Sequence, residues 1–94
     1  MTVYKISDNA VLEIFKEGGL ILIVPERRLV ELNQSAVTIF KLIDGQRTPE
    51  QIANEIYKNN DIRRNYPITK ITEDVLKLCV ELNQTGVLEL QPDL

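Results

Sequence analysis

Few residue types in this sequence could carry out a reaction. There is no histidine, which removes a serine–histidine–aspartate triad, a cysteine–histidine pair and the usual zinc ligand sets. The single cysteine, Cys79, falls inside an apolar helical stretch, where a free thiol behaves as a small hydrophobe. Carboxylates are numerous, but none forms a close pair at catalytic spacing. Glu73 and Asp74 are adjacent, so on a helix they point in different directions, and Asp74 reads most simply as a first-turn acid favoured by the helix dipole. Gly18-Gly19 and Gly45 are isolated turn glycines, not a phosphate-cradling loop. The expectation is a protein that is not an enzyme, with no catalytic residue, no metal and no cofactor. Its chemistry is then noncovalent recognition.

Composition narrows what is recognised. Ninety-four residues make one domain, 1–94, with a core expected over about 10–90. A hydrophobic content of 44% argues against disorder. A net charge of −3 disfavours nucleic acid, since phosphate binding requires a basic surface. Within 70–84, Lys70 and Lys77 are outweighed by Glu73, Asp74 and Glu81, so this helix would repel a phosphate backbone. Arg27-Arg28 and Arg63-Arg64 are short basic spots of the kind that are usually solvated. One cysteine allows no internal disulfide and points to a reducing, cytoplasmic setting. The N-terminus has no signal-peptide pattern. The longest apolar run, Leu20 to Val24, is too short to span a bilayer, so no membrane partner is expected.

The elements follow from period and punctuation. Ala10 to Phe15 is β-prone, Lys16-Glu17-Gly18-Gly19 reads as a hairpin loop, and Leu20 to Val24 is apolar on both faces, as in a central strand or one covered on its second face. Pro25-Glu26-Arg27 reads as a tight turn with Pro at its first corner. Arg28 to Leu32 then alternates, with Val30 and Leu32 on one face and Leu29 and Glu31 on the other. This predicts a three-stranded meander with 20–24 in the middle and 28–32 at an edge. Asn33 is a helix cap for about Gln34 to Asp44, stopped by Asp44-Gly45. Thr48-Pro49-Glu50-Gln51 combines a cap, a proline at the first helical position and a capping box, opening a helix over about Pro49 to Asn59. Residues 58–67 read as a polar loop. A third helix is expected over about Lys70 to Gln84, capped by Thr69 or Thr72 and ended by Gly86. Val3–Ile6 is a short strand or an arm, and Val87–Leu90 a short strand or a tail. The fold class is α+β, winged-helix-like, with a three-stranded antiparallel sheet packed on a three-helix bundle.

At this point a resemblance appears. Pro25-Glu26-Arg27 before a short strand, then Leu32-Asn33 opening a helix with Ala36, then Asp44-Gly45, Arg47-Thr48 and a helix with Ile52 resembles the PqqD family. Glu73-Asp74-Val75 with Leu78, Leu82 and Gly86 is similar to that family's third helix, so the resemblance covers about residues 11–90. It implies a small winged-helix-like domain, a precursor-peptide recognition element that is not a catalyst. It further implies that the leader of a ribosomally made precursor adds as a strand beside the third strand of the meander, against the third helix, and is presented to a modifying enzyme. That enzyme would be a radical-SAM enzyme, a protease or a cyclase, in pyrroloquinoline-quinone, lasso-type or radical-SAM-modified peptide synthesis.

The residues lead the same way unaided, because an edge strand offers unpaired N–H and C=O groups that template another strand. The expected peptide-binding residues are Arg28, Leu29, Val30, Glu31 and Leu32 on the edge. Ile71, Asp74, Val75 and Leu78 join them on the helix if the docking side is the family's, with Leu76 and Cys79 instead if the helix is rotated. Arg27, Arg28 and Lys70 are candidates for steering acidic leader residues. The competing readings are a winged-helix DNA-binding regulator, which rests on fold class alone, and an adaptor that binds only a partner enzyme. The expected oligomeric state is a monomer or a weak homodimer.

Overall fold

The computed structural model describes residues 2–24, 26–59 and 67–91. Strands β2 (Ala10–Phe15), β3 (Gly18–Ile23) and β4 (Arg28–Asn33) form an antiparallel meander in the order β2-β3-β4. The turn between β2 and β3 is only Lys16–Glu17. Gly18 and Gly19 are the first residues of β3, paired with Phe15 and Ile14. Gly18 has φ +155, and a Cβ there would collide with the Leu32 carbonyl. In the next turn Arg27 takes the left-handed conformation at φ +57. The expected first corner, Pro25, lies outside the described residues.

Strands β1 (Tyr4–Ile6) and β5 (Leu88–Leu90) resolve the two uncertain ends. They pair antiparallel with each other, Tyr4 opposite Leu90, as a separate two-stranded sheet. Ser7 anchors this small sheet, its N–H donating to the Val87 carbonyl at 2.8 Å.

Helix α1 (Gln34–Lys41) begins because the Asn33 side chain accepts the Ala36 N–H at 2.8 Å. It is shorter than expected. Leu42 and Ile43 close its end with tightened bonds to Ile39 and Phe40, and Asp44 then organises the connection. The Asp44 carboxylate accepts the N–H groups of Gln46 and Arg47, both at 2.9 Å, around Gly45 at φ +80. Helix α2 (Pro49–Asn59) carries the expected capping box. Thr48 N–H donates to Gln51 Oε1 at 2.8 Å, and Gln51 N–H donates to Thr48 Oγ1 at 3.2 Å.

Helix α3 (Ile68–Thr85) starts earlier than expected, directly after Pro67. Neither Thr69 nor Thr72 caps it. The Pro67 carbonyl accepts from Lys70 and Ile71, and the Thr72 hydroxyl donates back to Ile68. Gly86 ends α3 at φ +89. Its N–H bonds Asn83, and the Val87 N–H bonds Leu82, a Schellman ending that only glycine adopts cheaply.

The core lies between the inner face of the meander and the helices. Ile21, Ile23 and Leu32 from the sheet meet Val37 and Phe40 of α1, Ile52, Ala53 and Ile56 of α2, and Ile71, Val75, Cys79 and Leu82 of α3. Helix α1 sits on β3 and β4, while α3 packs on α2 and β5. The outer face of β3 is not covered among the described residues: Leu22 and Val24 are exposed. Among those residues no helix is long and apolar enough to cross a membrane.

Candidate functional site

The meander ends at β4, whose far edge has no strand beside it among the described residues. The pairing fixes which groups that edge presents. A two-residue hairpin closes on a pair that exchanges both main-chain bonds, here Phe15–Gly18. The same phase continues to Val24, whose N–H donates to the Asn9 carbonyl at 2.8 Å. Bonding direction alternates along a strand. Gly18, Leu20 and Leu22 therefore address β2, while Gly19, Ile21 and Ile23 address their partners Leu32, Val30 and Arg28 on β4. Leu29 and Glu31 are left aiming N–H and C=O outward.

The side chains divide differently. Val30 and Leu32 face inward; Val30 is half-buried and Leu32 is in the core. Leu29 and Glu31 lie on the outer face, and Leu29, at 64% exposure, is the barest large apolar side chain of the described residues. It ends a cross-strand row, Val11 opposite Leu22 opposite Leu29, exposed along its length. On α3, Ile71, Val75 and Cys79 are core residues with no surface to offer. Asp74 and Leu78 are half-buried, one turn apart on a flank that also carries Thr85. Leu76 and Val80 are exposed on the opposite flank.

The Arg28 guanidinium links strand and helix. Its Nη2 donates to the Thr85 carbonyl at the C-terminal end of α3, and its Nε to Glu26 Oε2 at 2.9 Å. Of the expected residues the structure thus gathers Arg28, Leu29, Val30 and Glu31 along one edge. It sets Asp74 and Leu78 on the flank of α3 that ends at the Arg28 contact, and withdraws Leu32, Ile71 and Val75 into the core. Two of the three expected steering cations, Arg28 and Lys70, are already engaged. Arg28 pairs with Glu26, and Lys70 pairs with Asp74 at 3.3 Å and Glu73 at 3.8 Å. Glu31 has no such bond among the described residues.

The sequence reading missed a shallow hollow of about 320 Å³ beside Glu31, lined by Phe15, Glu17, Gly18 and Leu20 among others. Its signal was the bare pair Gly18-Gly19, which leaves the sheet surface open where β4 ends. A larger open concavity of about 550 Å³ lies over the α1–α2 connection and has a mixed-charge lining that includes Asp44, Arg47, Glu55 and Lys58.

Burial pushes the Cys79 thiol up to about 11, so it stays protonated and is a poor nucleophile. Burial likewise raises Tyr4. Asp44 is lowered, chiefly by the Arg47 and Gln46 N–H groups it accepts, which is a structural role. No three or more acidic or cysteine side chains among the described residues are placed to hold a metal.

Among the described residues the fold is α+β: a three-stranded sheet in which β2 and β4 are both edge strands, three helices and a small second sheet. The chain belongs to the PqqD family, since the family model of coenzyme PQQ synthesis protein D matches residues 19–88, from β3 to the start of β5. Among curated proteins, no sequence matches. Several solved structures share the fold, three of them as follows. TbiB1 in complex with the TbiA(beta) leader peptide has a TM-score of 0.77 at 20% identity, covering 95% of this chain and 99% of that one. A lasso peptide synthetase B1 complexed with its leader peptide has a TM-score of 0.75 at 16% identity, covering 95% and 98%. The PqqD portion of Methylobacterium extorquens PqqCD, solved by NMR as a functional, stand-alone recognition element for ribosomally synthesised and modified peptides, has a TM-score of 0.72 at 28% identity, covering 93% and 88%.

Proposed function

We propose that this protein is a non-catalytic recognition element that captures the leader segment of a ribosomally made precursor peptide and presents it to a modifying enzyme. The observation that carries the reading is the free edge of β4, where Leu29 and Glu31 turn their main-chain groups outward. Family membership supports it, as do the two relatives of the same fold that hold leader peptides. The DNA-binding alternative draws no support from any of them.

Magnitudes say what the edge supplies. About four ladder bonds at a net ~0.5–1.5 kcal/mol each amount to roughly 2–6 kcal/mol. A micromolar complex requires about 8 kcal/mol, and ordering a free leader costs roughly 2–5 kcal/mol more. Side chains must therefore supply the difference. A guest residue opposite Val30 points inward, in the narrower kind of pair, and is offered the half-buried apolar surface of Val30 and Leu78. Chemistry on the precursor belongs to a partner, in this proposal a radical-SAM enzyme or a protease and cyclase pair, and the domain acts as a monomer or a weak homodimer.

The test is titration of the ¹⁵N-labelled protein with the leader of the precursor made alongside it. Saturable shifts centred on the amides of Leu29 and Glu31 are expected. Saturable binding whose shifts leave β4 untouched would place the peptide elsewhere and overturn the strand-addition reading.

A further inference from the structure

We propose that the outer face of β4 reads the guest strand's sequence: Glu31 selects a basic side chain, and Leu29 an apolar one two residues further along. This rests on the strand-addition reading and specifies the peptide it would admit.

The argument starts from the bonding phase. Leu29 and Glu31 are the residues whose N–H and C=O groups point off the edge, so a guest strand pairs directly with them. In such pairs side chains on the same face lie beside one another, Cα atoms about 5.5 Å apart. The guest side chains opposite Glu31 and Leu29 therefore stand on the outer face of the sheet, not against α3. In an antiparallel guest, the residue opposite Glu31 precedes the residue opposite Leu29 by two.

Each position has its own environment. Glu31 is exposed, has no cationic partner among the described residues, and is followed across the sheet by Leu20 and then a second carboxylate, Glu13. A basic side chain laid alongside Glu31 makes the favourable cross-strand pair, whereas an acidic one repeats the charge. Beside it lies the hollow floored by Gly18, where Phe15 and Leu20 offer apolar surface for the stem of a lysine or arginine and Glu17 offers a further carboxylate. At the second position the guest meets Leu29, the open end of the Val11–Leu22–Leu29 row. An apolar guest residue there extends the row onto a fourth strand and covers the most exposed apolar side chain described. The recognised chemistry is a segment reading basic, any apolar residue facing inward, then apolar.

The experiment uses the whole protein immobilised against a library of random peptides displayed on their mRNA. Wild type is expected to enrich lysine or arginine two positions before an aliphatic or aromatic residue. Synthetic pairs of one enriched peptide, differing only as lysine or glutamate at the first position, are then titrated into wild type, Glu31→Gln and Glu31→Lys. Wild type should prefer lysine by about 2- to 30-fold, Glu31→Gln should lose most of that preference, and Glu31→Lys should invert it. The preference should shrink in high salt, as for any exposed pair. Enriched peptides with no such charge preference, or a preference unchanged in both variants, would overturn this reading of Glu31 while leaving strand addition standing. Failure of wild type to enrich any peptide would overturn strand addition and this inference with it. Circular dichroism melts of the variants, expected to match wild type because Glu31 is exposed, separate loss of preference from loss of fold.

Discussion

The bonding phase of β4 makes neighbouring residues respond oppositely to the same substitution. Glu31 points its N–H off the free edge, whereas Val30 points its N–H at Ile21, which is fully buried. Proline removes an N–H and is tolerated in a strand only where that group faces solvent. Val30→Pro should therefore break the sheet. It deletes a β3–β4 bond and strands a buried carbonyl, at about 1–3 kcal/mol, in a domain whose whole stability is on the order of 5–15 kcal/mol. Glu31→Pro should leave the melt nearly unchanged but deprive a bound leader of one donor, leaving the leader's own carbonyl unmatched. The same ~1–3 kcal/mol then appears in binding, as roughly 5- to 150-fold weaker affinity. Urea denaturation followed by circular dichroism gives the first quantity, and anisotropy of a fluorescein-labelled leader gives the second. Glu31→Gln controls for the lost charge. If Glu31→Pro proved the more destabilising of the two, or if it bound leader as well as Glu31→Gln does, the assigned phase and the docking edge would both be wrong.

Other consequences follow from single side chains. Leu78→Ala removes half-buried apolar surface, so it should cost about 1–2 kcal/mol in a urea melt and weaken leader binding severalfold more than an equally destabilising Ile52→Val. Cys79 should resist a thiol reagent at pH 8 except in proportion to unfolding, which a reagent-concentration series would reveal. Because its pKa rises from 9.0 to about 11 on folding, the unfolded chain sheds the proton first. Stability should fall between those two values, by up to ~3 kcal/mol, and Cys79→Ser should flatten that limb of the profile. Asp44→Ala removes the acceptor of two N–H groups and should cost about 0.5–2 kcal/mol at neutral pH. Folding lowers the Asp44 pKa, so its contribution is present above the usual carboxylate range and lost as pH falls through the folded value. The variant and wild type should converge in acid denaturation.

Local signals were legible because they are complete within a few residues. The Thr48–Gln51 box and the Asn33 cap need only spacing and side-chain type, and both form. The meander and its edge were readable from alternation. What escaped depends on distant parts of the chain. Strands β1 and β5 are three residues each and carry no period of their own; they exist because Tyr4 and Leu88 bury against the helices. The start of α3 escaped because its N-cap, Pro67, has no side-chain acceptor, so the sequence carries no capping signal at that point. For the site, alternation placed Val30 and Leu32 on one face correctly, but period alone says nothing of depth. Leu32, Ile71 and Val75 lie too deep for a guest to touch.

Depth also explains why specificity should sit where the inference above places it. The ladder treats every sequence alike, because any residue but proline supplies the same main-chain groups. Discrimination must come from side chains next to the guest, and the candidates are few once core residues are set aside. Inward, Val30 and Leu78 present aliphatic surface that accepts many apolar residues, each worth only about 25 cal/mol per Å² covered. Outward, Glu31 can reward one charge and reject the other, so it separates sequences that the inner surface would accept alike. A guest that satisfies the inner surface alone should bind without much selectivity. On this reasoning a modifying enzyme would receive the correct precursor because the outer face of β4, not the inner surface of Val30 and Leu78, decides between similar apolar leaders.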